Sequence, residues 1–219
     1  MSALIYIYTL DKVILSADTL SVDMDKNPSC YVSKILPVPH LKTVICGTGF
    51  RPILSKWYKV AMENIIGFDI TALNCHAPSN LRSFLREDQA HVQGTTSVYH
   101  FGYSETENKL KGYSFKSEDN FDQKELEIDD ISIKPAHPGV NEILQKTAGS
   151  HHWNSEEFHI EIIKELKSLD DALPVSGRVG IGGEIQWLEL FDKGQFSMKT
   201  IYRFPDFDDV YLRILTRNK

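Results

Sequence analysis

The chain has 219 residues, 42% of them apolar and 25% charged, with a formal net charge of -6. Such a length can bury a large core, and the balance excludes a disordered chain, a collagen and a disulfide-stapled miniprotein. It also argues against a nucleic-acid partner, because the densest charge is acidic: the run 117–130 holds seven Asp or Glu against one Lys.

Cys30, Cys46 and Cys75 are odd in number and lack paired spacing, which fits a reducing compartment and argues against a zinc site. No apolar run approaches the roughly 18 residues of a membrane helix. The apolar start, Leu4 to Tyr8, has no basic flank and is broken by Asp11-Lys12, so it is not a signal peptide. These features imply a cytoplasmic protein without membrane contact. There is no repeat, low-complexity tract or Gly/Ser linker, so residues 1–219 read as one domain.

Leu4 to Tyr8 and Val13 to Ala17 form an opening hairpin about Asp11-Lys12, its strands apolar enough to be covered on both faces. Thr19 to Ser29 reads as a polar loop. Lys34 to Val38 and Lys42 to Cys46 pair across Pro39-His40, and Gly47-Thr48-Gly49 ends the second strand. Ile53, Leu54, Trp57, Tyr58, Ala61, Ile65 and Ile66 recur at helical spacing, with Gly67 as a stop. A second helix is expected from Ser79 or Asn80, turning Leu81, Phe84 and Leu85 inward.

Ser97 to Tyr103, Lys109 to Phe115 and Ile131 to Lys134 read as strands, and Val140 to Gln145 as a short helix. Asn154 and Glu157 suggest a capped helix to about Leu169, with Phe158, Ile162, Ile163, Leu166 and Leu169 inward. Gly182-Gly183 leads into Glu184 to Phe191, which turns at Asp192-Lys193-Gly194 and returns over Gln195 to Phe204. Paired helices between antiparallel hairpins imply an α+β fold of two sheets sandwiched between helical layers.

Ser2 follows Met1, which is commonly removed before so small a residue. Removal would place a hydroxyl and a free α-amine on one residue. The amine, with a pKa near ~8, could act as general base for the hydroxyl. Such a nucleophile needs a cation to favour the alkoxide and a carboxylate to hold that cation. Asp18 and Lys34 end and begin successive strands and could supply them. The backbone N–H groups of the Gly47-Thr48-Gly49 turn could form an oxyanion hole.

On this spacing the chain resembles the proteasome β-subunits and their bacterial relatives among the N-terminal-nucleophile hydrolases. Ser2, Asp18 and Lys34 are separated by sixteen residues and sixteen again, as in that family. Val13 to Asp18, Lys34-Ile35, Cys46 to Gly49 and the late Gly182-Gly183 extend the likeness. A carboxylate and a base at two fixed positions coincide by chance roughly 1 time in 70. The resemblance implies a four-layer αββα sandwich and homo-oligomeric rings or spirals. It also implies cleavage of peptide amide bonds through an acyl-enzyme on Ser2. Lys34 would tune the nucleophile, Asp18 would orient Lys34, and Gly47 or Thr48 would bind the oxyanion. Neither a metal nor an organic cofactor is called for.

The family's supporting Ser and Asp are absent: Lys134-Pro135-Ala136-His137 and Arg178-Val179-Gly180-Ile181 stand in their places. This motivates a second reading, an inactive structural or assembly protein, and a third keeps the chemistry on a small amide. Other polar residues read blandly. His137 is a loop residue; His151, His152 and His159 lack a carboxylate or Cys at ligand spacing. Cys30 and Cys46 are both open to a nucleophile reading, with Cys46, in an apolar strand, better read as a small core residue. Tyr99, Tyr103 and Tyr113 pack on strands.

Overall fold

A computed structural model describes residues 3–92, 94–137, 139–140 and 151–217. The opening hairpin forms as expected, β1 (Leu4–Tyr8) with β2 (Lys12–Asp18). The stretch expected as a loop instead contains a small hairpin, β3 (Leu20–Val22) and β4 (Pro28–Tyr31). Leu20, Val22 and Tyr31 carry it onto a helix the polar reading did not foresee. β5 (Ile35–Val38) and β6 (Thr43–Thr48) pair across a 3-10 turn at Pro39–Leu41.

Helix α1 (Arg51–Glu63) is shorter than its apolar pattern. Ile65 packs into the core from the following turn, while Ile66 is 98% exposed. Helix α2 (Ile70–Glu87) begins nine residues before Ser79, with Pro78 inside it. Asp69 caps it, accepting from the N–H groups of Thr71 at 2.9 Å and Ala72 at 3.3 Å. Ile70, Leu73, Ala77 and Leu81 continue one buried stripe, and that burial outweighs the lost proline donor.

β7 (Ser97–Ser104) and β8 (Lys109–Lys116) follow. The acidic run then holds a 3-10 turn and β9 (Gln123–Glu125), before β10 (Asp130–Lys134). Of the short helix expected over Val140 to Gln145, only Val140 is described, and it is helical. Ser155, not Asn154, caps α3 (Glu156–Ala172), accepting from the Phe158 N–H at 3.2 Å. β11 (Glu184–Phe191) and β12 (Phe196–Arg203) form the expected hairpin. The sequence reading missed α4 (Phe207–Arg217), whose inward side holds only Val210 and Ile214.

Both large sheets are antiparallel, ordered β10-β1-β2-β11-β12 and β5-β6-β7-β8-β9. Tyr6, Leu15, Ala17 and Leu188 of the first meet Val44, Tyr99 and Phe101 of the second. The outer face of the second sheet is covered by α1 and α2 through Ile53, Trp57, Leu73 and Leu81. On the first sheet, Ile5 and Ile185 receive Phe158, Ile162 and Leu166 of α3. β1 and β2 are therefore buried on both faces, as their unbroken apolar runs predicted. Among the described residues no helix is long and apolar enough to cross a membrane.

Candidate functional site

Asp18 lies where three parts of the chain converge. β2 is flanked by β1 and β11, so its last residue ends in the middle of a sheet, and Asp18 is 0% exposed. One carboxylate oxygen, Oδ1, accepts from the backbone N–H of Ala3 at 3.0 Å and from Lys34 Nζ at 2.6 Å. The other, Oδ2, accepts from the N–H of Gly182 at 3.1 Å. Lys34, just before β5, is 6% exposed.

Burial pulls the Lys34 ammonium below the usual lysine range, against the attraction of the Asp18 carboxylate. Burial likewise raises the Asp18 carboxyl, opposed by Lys34 and by the N–H groups of Gly182 and Ala3. A desolvated ion pair beside a cavity is an environment in which a fixed charge acts strongly on whatever enters.

Lys34, Gly47, Thr48 and Gly49 line one cavity of about 410 Å³. Its walls come from the β3–β4 hairpin on one side and the start of α1 on the other. Backbone approach here requires glycine. A Cβ on Gly47 would stand 2.5 Å from the Ser97 carbonyl oxygen. Gly49, at φ +107°, would bring one within 2.4 Å of the Thr95 oxygen. Of the expected site residues, Lys34, Gly47 and Thr48 thus share one cavity, and Asp18 stands behind Lys34. Ser2 lies outside the described residues; Ala3, which follows it, is the residue held by Asp18.

With that geometry in view, the comparisons with known proteins address fold rather than family. No family model matches the chain. No curated protein matches it either. Among solved structures, the chain is similar to an Anbu (Gly-1) mutant from Hyphomicrobium sp. strain MC1. The TM-score is 0.65 at 13% identity, covering 100% of this chain and 96% of that one. The architecture is compatible with a proteasome-like fold.

The likeness corrects the sequence reading in one respect. Placement among the proteasome β-subunits and bacterial proteasome-related peptidases does not hold, because identity this low shows a shared fold alone. The physical reason is that glycine turns, strand alternation and element order are demands of the architecture, whatever the chemistry it carries.

Sequence reasoning missed Asp170. It ends the inward stripe of α3, four residues after Leu166, and is 4% exposed. Its Oδ1 accepts from the N–H of Val179 at 2.6 Å and its Oδ2 from that of Gly180 at 2.9 Å. The segment expected to offer a Ser and an Asp is instead fastened by a carboxylate from the preceding helix. That segment also supplies the Gly182 N–H to Asp18. The available signal was a charged residue at a position whose i-4 neighbour is core. Asp170→Ala leaves two inward N–H groups without their acceptor and is expected to cost about 2–4 kcal/mol. Urea unfolding of the variant checks this, and an unchanged midpoint would show the contacts to be dispensable.

The remaining polar residues are accounted for locally. His137 Nδ1 accepts from the Gly139 N–H at 3.1 Å. A serine–histidine pair exists away from the cavity: the Ser16 hydroxyl donates to His159 Nδ1 at 2.6 Å, and Nε2 donates to the Trp153 carbonyl at 3.1 Å. Both residues are 0% exposed, so no substrate reaches them. The Cys46 thiol is pushed far up by burial and is core, as expected. Cys30 is half-buried and accepts from Arg51 Nη1 at 2.7 Å. Tyr99, Tyr103 and Tyr113 are packing residues.

Proposed function

We propose that this protein hydrolyses amide bonds, in peptides, by an N-terminal nucleophile: Ser2, freed by removal of Met1. The observation that carries the reading is the shared Asp18 oxygen, which binds both the Ala3 N–H and Lys34 Nζ beside a cavity containing Gly47 and Thr48. Ser2 is one peptide bond upstream of Ala3. In this mechanism the Ser2 hydroxyl gives its proton to its own α-amine as Oγ bonds to the substrate carbonyl carbon. The N–H groups of Gly47 and Thr48 receive the oxyanion. The C–N bond then breaks, the amine returns the proton to the leaving nitrogen, and water releases the acyl group. Lys34 favours the alkoxide electrostatically, and Asp18 holds Lys34.

The packing order of helix pair, sheet, sheet and helix supports the four-layer αββα reading, with the whole chain as one domain. The proposal includes self-association into a ring or spiral in the cytoplasm. Ile66 and Phe68, strongly exposed between α1 and α2, support it. A second reading, an inactive scaffold, is favoured by Arg178-Val179-Gly180-Ile181 standing where a helping Ser and Asp were expected, with its Val179 and Gly180 N–H groups bound by Asp170.

The test is an intact mass after incubation with a β-lactone that acylates N-terminal nucleophiles. Loss of Met1 with one adduct mapped to Ser2, absent in Ser2→Ala, is the expected result. Retained Met1 without an adduct would move the assignment to the scaffold.

A further inference from the structure

The cavity beside Lys34 has a charge pattern unlike the rest of this acidic chain. Asp23, at its edge, is committed: Oδ1 accepts from the N–H groups of Asp25 and Asn27, both at 2.9 Å, and Oδ2 pairs with Arg217 at 2.5 Å. Lys34 is matched by Asp18. Lys26 and Arg51 also line the cavity, and among the described residues neither has a carboxylate within ion-pair distance. Among the described residues the side-chain partner of Arg51 is the Cys30 sulfur, at 2.7 Å, and no carboxylate balances its charge.

Helix α1 adds to this field. It starts at Arg51, its first turn carries no acidic residue, and no side chain caps it. The positive end of its dipole therefore meets a cation, an arrangement that costs stability unless an anion visits. The same cavity is lined by apolar side chains as well, Val32, Leu36, Phe50 and Leu54 among them. A net-negative molecule with uncompensated cations at one concave mouth focuses anions there.

We propose that the cavity takes an amide substrate that carries a carboxylate, held by Arg51 and Lys26 while an apolar side chain lies against Leu36 and Leu54. The proposal rests on the hydrolase reading above for the word substrate, but its binding claim is separable from turnover. A guanidinium and an ammonium on one carboxylate give charge-assisted hydrogen bonds that a neutral amide of the same shape forgoes. Acidic peptides should accordingly bind more tightly than their glutamine counterparts, and the difference should shrink with added salt.

The experiment is calorimetric titration of the full chain with an N-acetylated, C-amidated tetrapeptide containing leucine and glutamate, against the same peptide with glutamine. The expected result is about tenfold tighter binding of the glutamate peptide at low ionic strength. That preference should vanish in the Arg51→Gln/Lys26→Gln variant and survive in Arg51→Lys. Arg51 is exposed and Lys26 half-buried, and a urea midpoint equal to that of the unmodified chain checks that the variant folds. Equal affinities, no binding of either peptide, or a preference that persists without both cations would each overturn the proposal. A lactone adduct on Ser2 with equal affinities would sink this inference and leave the hydrolase reading standing. A glutamate preference without any adduct would do the reverse.

Discussion

Replacing Lys34 by alanine is expected to lower the unfolding free energy by about 3–5 kcal/mol and to abolish acylation of Ser2. The stability loss follows from what is left behind. Asp18 is fully buried and would keep only the N–H groups of Ala3 and Gly182 as partners. Desolvating a lone carboxylate costs far more than the pair itself contributes. A Lys34→Met/Asp18→Asn variant separates the two roles, because a neutral amide removes the stranded charge and keeps an oxygen acceptor beside the Ala3 and Gly182 N–H groups. It should recover part of the stability lost in Lys34→Ala, as read by urea unfolding, while remaining unacylated. If it regains acylation, the ion pair is a structural lock and has no part in the chemistry.

A second large effect is expected on acidification. His100 accepts from Trp57 Nε1 at 2.8 Å and donates through Nδ1 to Asn74 Oδ1 at 2.7 Å, entirely buried. Burial drives its pKa down to about 3. His159 is driven down to about 4 for the same reason, against a small opposing effect of the Trp153 carbonyl.

In the unfolded chain both rings titrate near the ordinary ~6.5. The folded state thus binds fewer protons than the unfolded state between those values. The contribution is fully present above about pH 6.5 and is lost as pH falls towards the folded pKa. Each ring should cost about 2–3 kcal/mol by about pH 4.5. Urea titrations from about pH 7 to about pH 4.5 measure the slope. Subtracting the curve of a His100→Gln/His159→Gln variant isolates it from other groups, and an unchanged slope in that variant would contradict the account.

The residues that made the fold legible are those with strong local signatures. The apolar runs of β1 and β2, the Asp192-Lys193-Gly194 turn and the inward stripe of α3 appear where their patterns put them. Local reasoning failed where tertiary burial overrides a local rule. The start expected at Ser79 or Asn80 lies inside α2, which runs through Pro78 because the Asp69 cap and a continuous apolar stripe sustain the helix. β3, β4 and α4 are too short or too polar to be seen alone, and each exists by packing on the other through Leu20, Val210 and Ile214.

The same division holds at the site. Asp18, Lys34 and Gly47-Thr48-Gly49 were visible as chemistry at a spacing, because strand ends repeat at regular separations and glycine marks close backbone approach. Their meeting at one buried carboxylate and one cavity was decided by sheet order, which brings β2 between β1 and β11, and by the packing of the second sheet on the first, which sets Lys34, just before β5, against the end of β2. Asp170 was invisible for a related reason: its partners, Val179 and Gly180, are backbone donors, which no side-chain pattern advertises. By itself the sequence determined the residue types and the strands and long helices that carry them. Which groups lose water together, and so which charges shift and which cations stay unpaired, arose only from how distant segments pack.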